Sequence, residues 1–427
     1  MKNFDTKKLI LLRLYFGRAI KNLRVFIRWG FFSAFIGLFV GAVSTLFAFC
    51  LRKVTEFRTG HPQMILLLPF AGVLIIFLYQ IFQYKNDQGT NRVLSTLHAR
   101  SEIPFKMAPL IFISTIITHL FGGSAGREGA ALQLGGSIGQ QLGKFFRFDK
   151  KDQRVVVMCG MSAAFSAIFG TPIAASIFSM EVVSVGVMYY AALVPCVFSA
   201  LVASQFAVHM GIGPDIFQLN HIPAFHFIPA IKIIILALCC AALSVLFCIC
   251  IHSLGNIYHK RISNAYIRII FSSVLIILLT ILLQTDDYMG AGVPVIERAI
   301  KGETIPAAFF WKIVFTALTL AAGFKGGEIV PSFFVGATFG CLAGQFLGIS
   351  PSLCAAVGMI SVFCGVTNCP ITSILISFEL FGYEAVPYFL LGVSISYLMS
   401  GYYGLYHDQT IVYSKYETRY INRRTRE

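Results

Sequence analysis

Phe121-Gly-Gly-Ser-Ala-Gly-Arg-Glu-Gly-Ala-Ala-Leu-Gln-Leu-Gly-Gly-Ser-Ile-Gly139 sets an arginine and a carboxylate, Arg127 and Glu128, between glycines in the middle of a strongly apolar chain. A charge at the centre of a bilayer costs about 2.5–3.5 kcal/mol even on insertion-based scales, so charges placed there usually have a function. The glycines before Glu128 free the backbone to leave helical geometry, and the run from Ala130 onward reads as a helix that starts there. The first amides of a helix lack partners and its dipole end is positive, so a helix start inside a membrane attracts anions. Glu128 would then sit where a permeant anion would sit. The competing reading is a glycine-rich packing turn whose Arg127–Glu128 pair reaches for an interface.

The surrounding chain makes the membrane setting firm. Of its 427 residues, 57% are hydrophobic and 12% charged, and the mean hydropathy is +0.76. Apolar runs long enough to span hydrocarbon recur along it, which identifies a polytopic helical membrane protein; a closed barrel would show short alternating strands instead. The net charge of +15 invites a nucleic-acid reading. Its positive residues gather at the termini and in short connections such as Lys144 to Arg154, where membrane topology and anionic lipid account for them, so no nucleic-acid partner is expected. The basic start (Lys2, Lys7, Lys8, Arg13, Arg18, Lys21, Arg24, Arg28) lacks a small-residue cleavage site and is not a signal peptide. It places the N-terminus in the cytoplasm, as Lys415, Arg419, Arg423, Arg424 and Arg426 place the C-terminal tail.

Eleven cysteines lie mainly in apolar runs without C-x-x-C pairs, and read as small buried hydrophobes rather than as zinc or redox ligands. His119 stands alone in a span and is expected to make an interhelical hydrogen bond. No metal, cofactor or nucleotide loop is expected: Gly143-Lys144 runs into Phe145 and lacks the earlier glycine of a Walker loop.

The chain tells its story twice. Gly326-Gly327-Glu328 follows Gly126-Arg127-Glu128 by 200 positions, and the packing glycines Gly135-x3-Gly139-x3-Gly143 return as Gly336-x3-Gly340-x3-Gly344. The run from Gly160 through Pro172 to Glu181 aligns without a gap to the run from Gly358 through Pro370 to Glu379. Gly89-Thr90-Asn91 has a looser counterpart in Gly290-Ala-Gly-Val-Pro294. Two related halves with helices interrupted by Gly and Pro are the pattern of secondary transporters, whose sites lie where half-helix ends converge at the midplane. Spans from about Trp29 to Leu51 and from His61 to Phe82 open the first half. The expected organisation is a basic N-terminal segment (1–28), a first transmembrane repeat (29–215), a second (216–406) and a basic cytoplasmic tail (407–427) too short for a regulatory domain.

With these residues in view the chain resembles the CLC family of chloride channels and anion/proton antiporters. Gly126-Arg-Glu-Gly129 matches the family's G-R-E-G block, Gly326-Gly-Glu-Ile-Val-Pro331 is similar to its G-G-x-x-x-P block, and Gly401-Tyr-Tyr-Gly-Leu-Tyr406 resembles the segment carrying its anion-binding tyrosine. The resemblance implies an all-α membrane protein of two inverted repeats with full and partial helices, working as a homodimer in a prokaryotic inner membrane. It implies transport of chloride or fluoride, coupled to protons, with Glu128 as the gating glutamate. The bound halide would touch Thr90, Gly126, Arg127, Gly129, Ile329, Val330 and Tyr406, with Glu328 as a possible second acid. Chloride-coupled members carry an acid directly after the glutamate matching Glu181, and here Val182 follows. That absence, and the wording around residues 122–129 and 323–328, resembles the fluoride/proton branch. Thr90 and Val330 depart from that branch, so the choice of halide stays open. A passive channel of the same fold is the nearest alternative. A membrane-embedded hydrolase built on Glu128 and His119 would need a nucleophile or metal partners at defined spacing, and none is visible; a two-repeat cation or amino-acid symporter, which would favour broken helices presenting carbonyl ends and uncompensated acids, is a remote alternative.

Overall fold

The chain has no proline before Pro62, and its first helix runs unbroken to that point. The computed structural model describes the backbone of residues 2–84, 87–98 and 101–425, with side chains from residue 12 onward; Lys85, Asn86 and Arg426 lie outside the described residues. Helix α1 (Lys2–Gly60) therefore extends well beyond the span expected between Trp29 and Leu51, because nothing in the basic start forbids helical backbone. A 3-10 turn over Pro62–Leu67 and α2 (Leu68–Ile81) form the second crossing.

The remainder of the first half comprises α3 (Thr90–Leu97), α4 (Met107–Leu120), α5 (Glu128–Phe145), α6 (Lys150–Phe169), α7 (Pro172–Glu181) and α8 (Leu193–His209). The second half runs through α9 (Phe227–Arg261), α10 (Ala265–Leu283), α11 (Val293–Ile300), α12 (Ala308–Ala322), α13 (Ile329–Leu347), α14 (Pro351–Thr367), α15 (Pro370–Phe381) and α16 (Val386–Met399). Pro172, Pro351 and Pro370 each stand in a first helical turn, where a missing N–H leaves no bond unmade. Among the described residues six helical stretches are long and apolar enough to cross a membrane. Large apolar side chains such as Phe70, Leu282 and Phe346 stay exposed on their outer faces, as a lipid-facing surface requires.

The core of each half is a glycine crossing. A Cβ added to Gly135 would strike the backbone oxygen of Gly160, and one added to Gly160 would strike that of Gly135; Gly336 and Gly358 stand in the same mutual relation. Helices α5 and α6 thus touch backbone to backbone, as do α13 and α14. That close approach is the use of small residues in membrane packing, where lipid is as apolar as leucine and only close fit favours association. The half-helix starts agree as well: Thr171 before α7 and Cys369 before α15 share φ −118° with ψ 77° and 75°.

Glu181 and Glu379 tie the halves together. Glu181, at the end of α7, accepts from the N–H groups of Ile371 (3.0 Å) and Thr372 (2.8 Å) and from the Thr372 hydroxyl (2.5 Å) at the start of α15. Glu379, at the end of α15, accepts from Ile173 (2.9 Å) and Ala174 (2.8 Å) at the start of α7. Each acid satisfies the orphan amides of the opposite half-helix.

Residues 408–425 do not form a free tail. Strand β1 (Ser184–Val185) pairs in parallel with β2 (Thr410–Tyr413), which pairs antiparallel with β3 (Tyr420–Arg424). Among the described residues the strand contributed by the first half, β1, is two residues long, too short for alternation to reveal in sequence.

Candidate functional site

Two extended stretches, 121–127 and 324–327, cross at the centre of the molecule. Gly126 and Gly327 form an antiparallel bridge, each N–H donating to the other's carbonyl at 2.7 Å. A glycine with positive φ stands near the head of each stretch, Gly122 (83°) and Gly323 (117°), a conformation that side chains resist. Beyond the bridge, Glu128 opens α5 and Ile329 opens α13, so two helix starts point their free amides at one place.

The side chain of Glu128 is fully buried. Its Oε2 accepts from the backbone N–H of Arg127 at 3.1 Å and its Oε1 accepts from Arg127 Nε at 3.2 Å. The carboxylate therefore occupies the positive end of its own half-helix. Arg127 divides its guanidinium between two acids: Nε faces Glu128 at the helix start, while Nη2 donates to Asp215 at 3.1 Å.

The other sequence-designated residues surround this point. Gly129 lies close against the second stretch: a Cβ there would come within 2.8 Å of Gly327 Cα, 3.4 Å of Glu328 Oε2 and 3.6 Å of Thr90 Oγ1. Gly126, Gly129, Glu328 and Thr90 are thus brought together. The hydroxyl of Thr90, first residue of α3, donates to Gly129 O and receives Gln133 Nε2, both at 3.4 Å, near the weak limit for hydrogen bonds. Glu328 stands at the N-cap of α13, is partly buried and makes no capping bond to the turn that follows. Ile329 and Val330 are buried in the first turn of α13, and Val330 lines the same small chamber as Glu128, with Phe169 and Phe333 as apolar walls.

Tyr406 is buried, its carbonyl accepts from Thr425 Oγ1 at 2.6 Å, and its own hydroxyl has no hydrogen-bond partner among the described residues. A buried hydroxyl left open in this way can donate to a dehydrated anion. Val182, where chloride-coupled members have an acid, is buried and offers its carbonyl to Gln409.

His119 departs from expectation: its Nδ1 bonds the carbonyl of Thr115 one turn back at 2.9 Å, within its own helix, and Nε2 has no partner among the described residues. That Thr115 carbonyl is already within reach inside α4, so the Nδ1 bond needs no neighbouring helix. Sequence reading missed Gln133, which supports Thr90; the pair Lys325–Asp87 (2.7 Å), whose Asp87 also accepts from the N–H of Gly89; and Asp215. The last sits in a polar connection where one acid carries no local signal. Among the described residues no group of His, Cys, Asp or Glu side chains gathers as a metal site.

Comparison with known proteins agrees with this architecture. The voltage gated chloride channel family model matches residues 71–401. A chloride/fluoride channel protein of Pseudomonas syringae pv. tomato is 34% identical over 396 residues, covering 91% of this chain and 88% of that protein. The H(+)/Cl(-) exchange transporter ClcA of Vibrio cholerae is 23% identical, over 82% of this chain and 81% of its own length. Among solved structures, a CLC-type fluoride/proton antiporter superposes with a TM-score of 0.87 at 32% identity, covering 90% of this chain and 98% of the other. A cyanobacterial Cl-/H+ antiporter, with a TM-score of 0.73 at 17% identity over 86% and 93% of the two chains, shares the fold. The chain belongs to the CLC family, the membrane proteins described as voltage gated chloride channels.

Proposed function

We propose that this chain exchanges a halide, fluoride by preference, for protons across a prokaryotic inner membrane, as a homodimer with a separate pathway in each subunit. One observation carries the reading: the Glu128 carboxylate fills the amide end of α5, the place a halide would take. As a carboxylate, Glu128 blocks that place. Once protonated it has no charge to hold it there; it leaves, and a halide moves onto the free amides of α5 and α13, the Thr90 hydroxyl and the Tyr406 hydroxyl. Because one spot cannot hold both anions, proton and halide move in opposite directions in turn. A helix end favours an anion by about 0.3–2 kcal/mol, small enough for the two to trade places without trapping either. Glu328, without a basic partner among the described residues, is the second acid on the proton's way. No cofactor takes part.

The preference for fluoride is supported by the higher similarity to a fluoride/proton antiporter and to a protein named for both chloride and fluoride, and by Val182 in place of an acid. The second reading, chloride, is favoured by the hydroxyl at Thr90. Both termini are assigned to the cytoplasm, supported by the basic N-terminal segment. The test is efflux from proteoliposomes loaded with fluoride or chloride, with external pH recorded simultaneously. Fluoride leaving as protons enter is expected, and Glu128→Gln is expected to abolish the proton flux while halide binding survives. Proton uptake undiminished in that variant overturns the reading. A reversal potential that ignores the pH gradient would make the protein a channel.

A further inference from the structure

The segment joining the two halves, 210–226, has no regular helix or strand, yet it is pinned at several points. Pro214 packs so closely on the turn at Gly170 that a Cβ there would strike its Cα. Phe217 N–H donates to Leu380 O at 2.8 Å and its ring stacks on Phe381 at 5.6 Å. Asn220 N–H donates to Ser352 Oγ at 2.9 Å, and Ser350 Oγ donates to Asn220 O at 2.8 Å. Between these anchors the segment presents Asp215 to Arg127.

Two cavities lie on either side of that pair. One is an open vestibule of about 650 Å³ that reaches Arg58, His119 and Asp286. The other is the small chamber holding Glu128, Val330 and Phe333. Arg127, Asp215 and Val293 line both, and so form the partition between them. Side-chain exposure falls along the same line, from 39% at Asp215 through 22% at Arg127 to 0% at Glu128.

We propose that Asp215 is the outer latch of the exchange pathway: its ion pair with Arg127 closes the partition, and the pair parts each time Glu128 swings out to trade its proton with the vestibule. This rests on the exchange reading above and adds a positioning residue to it. A pair this exposed contributes little to stability, so it suits a contact that breaks and reforms during turnover better than one that holds the fold. Arg127 is placed to serve both positions. With the latch closed it touches Asp215 and Glu128 together, and with it open its charge can meet the carboxylate that forms once the proton has left to the vestibule.

The full-length chain in proteoliposomes tests this, with halide efflux and proton uptake read by electrodes. Asp215→Ala and Asp215→Asn are each expected to raise both fluxes about fivefold with their ratio unchanged, since removing a contact of this class lowers only the barrier to opening. Asp215→Glu is expected to return the parental rate, and the melting temperature in detergent is expected to stay at the parental value in all three. Rates at or below the parent in both Ala and Asn variants overturn the latch, as does a Glu variant indistinguishable from Ala. Glu128→Gln in the same assay separates the two ideas. If it remains coupled, the exchange reading falls; if it uncouples while Asp215→Asn and Asp215→Ala run no faster, only the latch falls.

Discussion

The hydroxyl of Tyr406 is buried without a partner among the described residues, and an open donor in such a place costs about 1–3 kcal/mol until something accepts from it. Tyr406→Phe should therefore weaken halide binding about tenfold by titration calorimetry while leaving the melting temperature of the halide-free protein unchanged or slightly higher, because the variant removes an unsatisfied group. A loss of stability with unaltered affinity would make the tyrosine a packing residue. At this scale sequence carries far when a residue is out of place: an acid between glycines in an apolar run marks Glu128 without further help. It is silent on partners. Nothing near Asp215 or Gln133 in the chain points to Arg127 or Thr90, because those pairings exist only once helices distant in sequence are folded together.

Helix pairs are where the sequence speaks most plainly. The four-residue spacing of Gly135, Gly139 and Gly143, repeated at Gly336, Gly340 and Gly344, reports a backbone-to-backbone crossing, since only residues without side chains allow it. Gly160→Ala sets a methyl against the carbonyl of Gly135 with no flexible atom to yield, and should cost about 3 kcal/mol or more. The loss should appear as a lower melting temperature and a poorer monodisperse peak in size-exclusion chromatography. Gly255→Ala, which meets no neighbouring atom, should change neither. Short elements stay hidden for a physical reason. The pairing of β1 with β2 joins residues 184 and 410, far apart along the chain and with too few positions to show a period. The extension of α1 was hidden because charge patterning marks where membrane begins, whereas helical backbone continues until proline interrupts it.

Over the whole molecule, the two halves are legible as a repeat but their mutual dependence is not. Aligned glycines, prolines and closing glutamates announce two copies of one plan. That each closing glutamate serves the opposite copy follows only from their packing. Glu181→Ala should destabilise the protein by about 1–3 kcal/mol, the range for leaving buried donors unpaired, read as a fall in melting temperature; Glu181→Gln, which keeps one acceptor, should fall less. Expressed separately, residues 1–215 and 216–427 should each fail to give a stable product, and co-expression should restore both protein and halide efflux.

The crossed glutamates also set a timetable for biosynthesis. Glu181 leaves the ribosome 191 residues ahead of Thr372, and at translation speeds of about 5–20 residues per second that is a wait of roughly ten to forty seconds. Throughout it, the nascent first half sits in or beside the translocon with a lone acid and an unmet helix start, so maturation of this protein is timed by the arrival of its last third.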